Sequence, residues 1–134
     1  MNFSSHSNIR KVVLVNPPMR PEQVYGSIVE WGSISPPTGL CYIAAFLREK
    51  GYDVCIIDAE AHKFDAAETV EEIVRQNPDM VGIACKTLWI VNAHTLACKL
   101  KERIPQIPIV AGGNHVTALP ERTLKEFPSF DILV

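Results

Sequence analysis

The sequence has few of the features that mark a metal centre or a nucleic-acid surface. It contains four cysteines, Cys41, Cys55, Cys85 and Cys98, and no two of them have C-x-x-C spacing. A zinc or iron–sulfur site built from this chain alone is therefore not expected, and we interpret the cysteines as buried, reduced thiols that pack as small hydrophobic groups. The net charge is -2 and no run of Lys or Arg occurs, which argues against a surface built to hold nucleic acid.

No segment of the sequence is predicted to enter a membrane. The longest apolar stretch covers residues 40–47 and is far shorter than a bilayer span. The N-terminal residues 1–7 lack the apolar centre of a signal peptide, so the expected location is the cytoplasm. The length of 134 residues, with 47% hydrophobic and 21% charged residues, is typical of one globular domain that has its own core.

Short apolar runs alternate with stripes of helical spacing. The runs predict five strands, at residues 11–15, 53–57, 80–85, 107–110 and from Asp131 onward. Because the runs are continuous rather than alternating, they are typical of a parallel sheet covered on both faces. The helical stripes comprise Leu40, Ile43, Ala44 and Leu47; Val70, Ile73 and Val74; Ala93, Ala97, Leu100 and Ile104; and Leu124 with Phe127 on the inner face of a fourth helix.

Residues that begin or end helices support this division. Gly51 is the expected stop of the first helix, Asp65 and Glu68 form a capping pair ahead of the second, and Pro120 opens the fourth. With right-handed crossovers, the order predicts an α/β fold: a flavodoxin-like, doubly wound, five-stranded parallel sheet in the order 2-1-3-4-5, within three α/β/α layers. Its ligand crevice lies at the carboxyl ends of strands 1 and 3, where the winding reverses.

Two features depart from the regular pattern. The link from Asn16 to Pro37 is long, is rich in Pro and Gly, and contains Trp31. Long loops in compact domains tend to be functional. The chain also stops at Val134, inside the apparent fifth strand, so we expect residues 1–134 to be one domain cut from a longer protein.

The residues that follow strands 1 and 3 are candidate ligand contacts. Asn16, Pro17 and Pro18 end strand 1, and they form either a rigid turn or a turn that contacts a ligand. Thr87 follows strand 3 at the expected switch point. Its hydroxyl would donate a hydrogen bond to a ligand amide or phosphate, or it would cap the third helix or a turn before it.

The segment after strand 4 contains Gly112, Gly113, Asn114, His115 and Thr117. Two glycines permit positive φ and close approach of a ligand to the backbone, and the helix that begins just beyond offers free N–H groups. An ordinary tight turn is the alternative. His115 is the histidine best placed for function, although for each of the four histidines in the chain a surface or structural role is the favoured interpretation.

Other ligand classes are disfavoured. Asp58 ends strand 2, where dinucleotide-binding folds place a ribose-binding acid, but neither the G-x-G-x-x-G fingerprint nor a Walker A loop is present. A nucleotide- or flavin-dependent enzyme therefore remains only an alternative. A receiver-like signalling domain is a second alternative, and it would need an acidic cluster after strand 1 and an aspartate after strand 3. Those positions hold residues 16–18 and Lys86-Thr87.

Five segments, taken in order, resemble a known family. They are Val-Asn-Pro-Pro at 15–18, Pro-Pro-Thr-Gly-Leu at 36–40 continuing to Gly-Tyr-Asp-Val at 51–54, Pro-Asp-Met-Val-Gly-Ile-Ala at 78–84 with Thr87, Ile-Val-Ala-Gly-Gly-Asn-His-Val-Thr-Ala-Leu-Pro at 109–120, and Asp-Ile-Leu-Val at 131–134. Over nearly the whole chain, the sequence resembles the N-terminal cobalamin-binding domain of radical-SAM proteins. That group includes the class B methyltransferases and relatives of the anaerobic magnesium-protoporphyrin ester cyclase.

The resemblance implies a cofactor module with no turnover and no catalytic residue of its own. It would hold a corrinoid, cobalamin, and present it to a radical-SAM domain outside this chain, where a 4Fe-4S cluster and S-adenosylmethionine would bind. The longer protein would be a methyltransferase or cyclase. Methionine synthase and the cobalamin mutases ligate cobalt through the histidine of Asp-x-His-x-x-Gly. That motif is absent here, so the resemblance implies a corrinoid without such a ligand.

The resemblance, combined with the crevice geometry, also implies a set of cofactor contacts. Asn114, His115 and Thr117 would lie near the nucleotide tail, and Thr87 and Leu88 beneath the corrin ring. The turn at 16–18 would lie alongside. The set is completed by Thr38 and Gly39, from the Pro-Pro-Thr-Gly-Leu segment, and by Gly112 and Gly113.

Overall fold

The computed structural model describes residues 8–20, 22, 26 and 35–134, and Trp31 lies outside them. The strands are β1 (Lys11–Asn16), β2 (Asp53–Asp58), β3 (Met80–Ala84), β4 (Ile109–Gly112) and β5 (Ile132–Leu133). The helices described are α1 (Thr38–Glu49), α2 (Ala66–Arg75), α3 (Ile90–Arg103), α4 (Asn114–Ala118) and α5 (Pro120–Glu126), with a 3-10 turn at Thr87–Trp89.

The five strands form one parallel sheet in the order β2-β1-β3-β4-β5. This confirms the predicted flavodoxin-like order. β1 pairs with β2 along its whole length, from Lys11 opposite Asp53 to Asn16 opposite Asp58. The carboxyl ends of β1, β3 and β4 therefore lie side by side at one edge of the sheet.

The two faces of the sheet are packed to different extents. On the first face, here called the closed face, the inward residues of β1, β3 and β4 pack against α2 and α3, and Ile73, Leu96 and Leu100 are fully buried. On the second, here called the open face, Val12 and Leu14 pack against Leu40 and Ala44 of α1. Farther along this face, four residues are only half-buried: Gly82 and Ala84 of β3, and Val110 and Gly112 of β4.

Three predicted helix boundaries are confirmed. The Asp65 carboxylate accepts the Glu68 backbone N–H at 2.8 Å, and the Glu68 carboxylate accepts the Asp65 N–H at 2.9 Å, which forms a complete capping box. Gly51 has a φ of +90°, and its N–H reaches the Arg48 carbonyl at 3.0 Å just after α1. Pro120 is the first residue of α5.

The fourth helical segment differs from the prediction. It divides into α4 and α5 at Leu119, whose backbone is not helical (φ −134°, ψ 55°). The prediction that Leu124 faces inward is wrong, because its side chain is 48% exposed. In the short α5, Thr123 takes the inward position and its hydroxyl donates to the Leu119 carbonyl at 2.6 Å. Phe127, just past α5, does pack against the core.

The expectation of buried thiols holds only in part. Cys85 is fully buried, Cys55 and Cys98 are half-buried, and Cys41 is exposed. Cys41 lies on the outer side of α1, since that helix buries only Leu40 and Ala44. No helix within the described ranges is long and apolar enough to cross a membrane.

Candidate ligand-binding cavity

A cavity of about 640 Å³ opens on the open face, at the carboxyl ends of β1, β3 and β4. Its floor is the sheet itself, through Val12, Leu14, Gly82 and Val110, and α1 forms one wall through Leu40, Ile43 and Leu47. This volume is within the range of small-molecule sites. The mostly apolar lining, interrupted by a few polar groups at one edge, is also typical of such sites.

Half of the predicted site residues meet in this cavity. They are Asn16, Thr38, Gly39, Gly112, Gly113 and Asn114. Three separate segments supply them: the end of β1, the start of α1, and the end of β4 with the first residue of α4. The parallel register brings these segments together, because the strands end at the same edge.

Asn16 is the most rigidly held of these side chains. It is 3% exposed. Its Nδ2 donates to the Asp58 carboxylate at 2.8 Å and to the Glu60 carboxylate at 3.3 Å. These two bonds fix the orientation of the amide at the cavity edge.

The prolines after β1 are placed differently from Asn16. Pro17 is buried. Pro18 accepts a hydrogen bond from the Asn92 side chain of α3 at 2.9 Å, so the segment is held toward the closed face. Neither proline lines the cavity on the open face. Their contact with a ligand stays a prediction.

Thr87 and Leu88 also lie outside the cavity lining. Both are exposed on the 3-10 turn, and Leu88 is 76% exposed. The Thr87 side chain does not cap this turn or α3, so the capping alternative is wrong. Both side chains lie near the switch point, and their role beneath a corrin ring stays a prediction.

The side chains of His115 and Thr117 contact other residues of the protein instead of the cavity. The His115 ring packs edge-on against Phe127, with ring centroids 6.4 Å apart, and its buried Nδ1 has no hydrogen-bond partner in the described ranges. The Thr117 hydroxyl donates to the Gly113 carbonyl at 3.0 Å. Neither side chain lines the cavity. The N–H groups of the two residues reach the carbonyls of Cys85 (3.3 Å) and Gly113 (3.0 Å), so neither N–H is free for an anion.

The backbone geometry at position 113 requires a glycine, whether or not a ligand binds nearby. Its φ is +134°, and a Cβ added to it would lie 2.7 Å from the carbonyl oxygen of Cys85. The neighbouring Cys85 N–H donates to the Gly112 carbonyl at 2.7 Å, which joins the ends of β3 and β4. Gly39 is the opposite case, because a Cβ there would meet no atom within 4 Å.

Three lining residues around the end of β3 were not predicted as site residues: Cys85, Lys86 and Trp89. Trp89 is only 9% exposed, and the Lys86 Nζ lies 3.9 Å from the centroid of its indole ring. Burial raises the pKa of the Cys85 thiol to about 12, and its hydrogen bond with the Gly112 backbone offsets this only in part. Cys85 is therefore a neutral thiol at physiological pH, without the thiolate that nucleophilic attack requires.

None of the three described histidines lines the cavity. His62 stacks on Phe64 with ring centroids 5.1 Å apart. His94 Nδ1 lies 2.6 Å from the Ser129 hydroxyl, and burial lowers the pKa of His94. The Cys98 sulfur is nearly equidistant from both ring nitrogens of His94, at 3.6 and 3.8 Å. It therefore does not lie along the lone pair of either one, which excludes a thiol–imidazole dyad.

Metal ligands are not clustered in the part of the chain that the structure describes. No group of three His, Cys, Asp or Glu side chains there could hold an ion. A second cavity, of about 1060 Å³, lies between Pro18, the segment after β2, α2 and α3. Its lining mixes acidic residues such as Glu60 with basic ones such as Lys99, so it favours no single charge.

Comparisons with known proteins point to one family. The family model described as the B12 binding domain matches residues 26–134. An uncharacterized methyltransferase of Pyrococcus horikoshii is 36% identical over 126 residues, which is 94% of this chain and 26% of that protein. An anaerobic magnesium-protoporphyrin IX monomethyl ester cyclase of Rubrivivax gelatinosus is 35% identical over 74% of this chain and 18% of its own length. The cyclase of the same name from Synechocystis is 30% identical over 92% of the chain and 24% of its length.

Solved structures share the fold. A cobalamin-binding protein from Desulfitobacterium hafniense superposes with a TM-score of 0.64 at 15% identity, covering 93% of this chain and 52% of that one. The response regulator TrrA of Thermotoga maritima, in complex with Mg²⁺ and BeF, superposes with a TM-score of 0.57 at 12% identity, covering 94% and 85%. At these identities the likeness concerns the fold alone. The chain spans about a quarter or less of the length of the curated relatives.

Proposed function

The chain belongs to the B12-binding domain family, and on this premise we propose that it is the corrinoid-binding module of a longer enzyme, with no turnover of its own. The observation that carries the proposal is the cavity on the open face at the carboxyl ends of β1, β3 and β4. This edge contains the winding reversal of the sheet, where open α/β sheets bind their ligands.

The residues present fit such a group. Gly39 borders open space, and the sheet residues that form the floor of the cavity are all apolar. The cavity is too small for a whole corrinoid, but its volume suits the nucleotide tail of one. Bound cobalamin would supply a cobalt that can carry a methyl group. Asn16, Thr38 and Asn114 would bind the polar groups of the tail at the cavity edge.

The proposal extends to a corrinoid whose cobalt has no histidine ligand from this chain. The support is twofold. The Asp-x-His-x-x-Gly motif is absent, and His62, His94 and His115 all lie outside the cavity lining. We assign no metal ligand to the chain.

The longer protein is proposed to be a radical-SAM methyltransferase or cyclase. The support is the length of the relatives, since the chain spans between 18% and 26% of them, and their names, methyltransferase and cyclase. A 4Fe-4S cluster and S-adenosylmethionine would bind to the remainder of that protein. A C-x-x-x-C-x-x-C motif encoded downstream of Val134 would support this part of the proposal, and a continuation without any such motif would contradict it.

Retention of hydroxocobalamin tests the binding function. The purified protein is mixed with hydroxocobalamin, free ligand is removed, and the visible spectrum is recorded. Retained corrinoid absorbance in a stoichiometric amount is the expected result. A spectrum without corrinoid absorbance contradicts binding by this chain. The same experiment with flavin mononucleotide is the control, and retention of flavin instead would favour the alternative of a flavin-binding domain.

The absence of a histidine ligand is tested by electron paramagnetic resonance of bound cob(II)alamin. The protein is prepared with either ¹⁴N- or ¹⁵N-labelled histidine. A nitrogen on cobalt splits each line according to its nuclear spin, so identical spectra are expected from the two preparations. A splitting that changes with the histidine label would identify a histidine ligand and overturn this part of the proposal.

A further inference from the structure

Lys86 is the only charged side chain among the described residues that line the cavity. The other polar lining residues, such as Asn16, Thr38 and Asn114, are neutral. The chain as a whole has a net charge of -2, so a positive cavity runs against the overall charge. Within the described ranges, no carboxylate forms an ion pair with Lys86. Its charge is therefore available to a ligand.

The position of this charge is set by the turn after β3. The Trp89 N–H donates to the Lys86 carbonyl at 2.9 Å, which folds the backbone so that residues 86 and 89 face each other. The ammonium nitrogen then lies 3.9 Å from the centre of the indole ring, close enough for a cation–π interaction. Because Trp89 is 9% exposed and lines the same cavity, its ring is a fixed platform that holds the lysine at the cavity wall.

A cation held at the wall of a mostly apolar cavity, whose other described lining side chains are neutral, favours an anionic ligand. Corrinoids differ in this respect. A complete cobamide carries a phosphodiester in its nucleotide tail, whereas cobinamide lacks the phosphate, the ribose and the base. We propose that Lys86, positioned by Trp89, binds the phosphodiester of the tail and makes the domain selective for complete cobamides over cobinamide. This inference rests on the proposed corrinoid-binding function.

The experiment compares the dissociation constants of hydroxocobalamin and cobinamide for the wild type and the Lys86→Met variant, by titration followed in the visible spectrum. Methionine keeps an unbranched, apolar side chain on Trp89 and removes the ammonium group. We expect the dissociation constant of hydroxocobalamin to rise about 5- to 20-fold, as for a partly solvated charge-assisted contact, and that of cobinamide to stay within about twofold. Lys86→Arg should restore most of the affinity for hydroxocobalamin.

Lys50→Met is the matched control. Lys50 also lies over an aromatic ring, with its Nζ 5.3 Å from the centroid of Phe46, but neither residue lines the cavity. Its replacement should change neither affinity. Circular dichroism and thermal unfolding of each variant show whether the fold is kept.

Trp89→Leu tests the positioning role. It should weaken hydroxocobalamin binding and also reduce the effect of a second Lys86→Met change, because the charge is no longer held in place. Full additivity of the two changes would overturn the positioning role of Trp89.

The failures of the two proposals are distinguishable. If both corrinoids bind and Lys86→Met weakens them equally or not at all, the phosphate assignment is wrong while the corrinoid-binding function stands. If the wild type binds neither corrinoid, both proposals are overturned. Increasing salt gives an independent measurement, since it should weaken hydroxocobalamin binding by the wild type more than binding by Lys86→Met.

Discussion

Gly39 offers a prediction in which stability and ligand binding change in opposite directions. It is the second residue of α1, it lines the cavity, and a Cβ at this position would meet no protein atom within 4 Å. Its φ is not in the left-handed region, so a side chain adds no backbone strain. We therefore expect Gly39→Ala and Gly39→Leu to fold normally while their side chains occupy ligand space.

The magnitudes follow from these two facts. Replacing a helical glycine by alanine lowers the conformational entropy of the unfolded chain and should stabilise the domain by about 0.5–1 kcal/mol. For a domain of this size that corresponds to a rise in Tm of about 2–4 °C. A leucine side chain in a cavity that must accept a ligand costs about 1–3 kcal/mol of overpacking. The dissociation constant of hydroxocobalamin should then rise about 5- to 150-fold.

The assay pairs thermal unfolding followed by circular dichroism with titration of hydroxocobalamin in the visible spectrum. Ala45→Leu is the matched control, because Ala45 is an exposed residue of the same helix outside the cavity lining. It should leave both corrinoid affinity and fold unchanged. If Gly39→Leu is folded and binds hydroxocobalamin as tightly as the wild type, this cavity is not the corrinoid site.

Three further predictions concern the residues around the site. Gly113→Ala should destabilise the domain by about 2–4 kcal/mol in urea unfolding. The reason is that residue 113 has a φ of +134° and that a Cβ there would lie 2.7 Å from the Cys85 carbonyl oxygen. A change in the free energy of unfolding below about 0.5 kcal/mol would refute this reasoning. Near pH 8, iodoacetamide should modify the exposed Cys41 and leave Cys85 intact in the native protein. The reason is that a pKa of about 12 leaves roughly one Cys85 thiol in ten thousand ionised. Equal labelling of the two cysteines, measured by mass spectrometry, would contradict the burial of Cys85. Burial lowers the pKa of His94 in the folded protein. As the pH falls, the His94 imidazole is therefore protonated in the unfolded chain before it is protonated in the folded one, so stability should fall as the pH drops below about 6.5. His94→Gln should flatten that part of the pH profile of urea unfolding, and an unchanged slope would assign it to other groups.

The fold was predictable because its determinants are local in sequence. The apolar run that forms β1 is buried on both faces, with Val12, Val13 and Val15 no more than 1% exposed. Such a run fits only a central strand of a covered sheet. The capping box at Asp65 and Glu68 was equally visible, since its two hydrogen bonds join residues three apart.

The exposed and inward sides of short helices were less predictable. In the seven residues of α5, one turn decides which side chain faces the core, and Thr123 is buried where Leu124 was expected. In α1, a continuous apolar run hides the fact that only Leu40 and Ala44 are buried, while Tyr42 is 79% exposed. Hydrophobicity alone cannot separate the two sides of such helices.

The position of the cavity was predictable from the sequence, but the residues that line it were predictable only in part. Asn16, Gly112 and Asn114 were predicted from the strand ends, and all three line the cavity, because the topology brings the carboxyl ends of β1 and β4 to the same edge. Their contact with a cofactor stays a prediction. Trp89 and Lys86 were missed, since their contribution depends on a tight turn that reverses the backbone after β3. That turn has no sequence signature, as no side chain caps it.

A comparison with the response regulator of similar fold shows which residues at the strand ends differ from those that a Mg²⁺ site needs. The two proteins share one sheet architecture, so the side chains at the strand ends, and not the fold, decide what this edge of the sheet can bind. A Mg²⁺ site with a phosphate acceptor needs several carboxylates, one of them after β3. Here the end of β3 bears a neutral thiol and a cation, Cys85 and Lys86. At the carboxyl end of β1, the carboxylates of Asp58 and Glu60 accept hydrogen bonds from the Asn16 amide. No Asp or Glu among the described residues lines the cavity at this edge, and the positive charge of Lys86 there is consistent with the proposed contact to an anionic group.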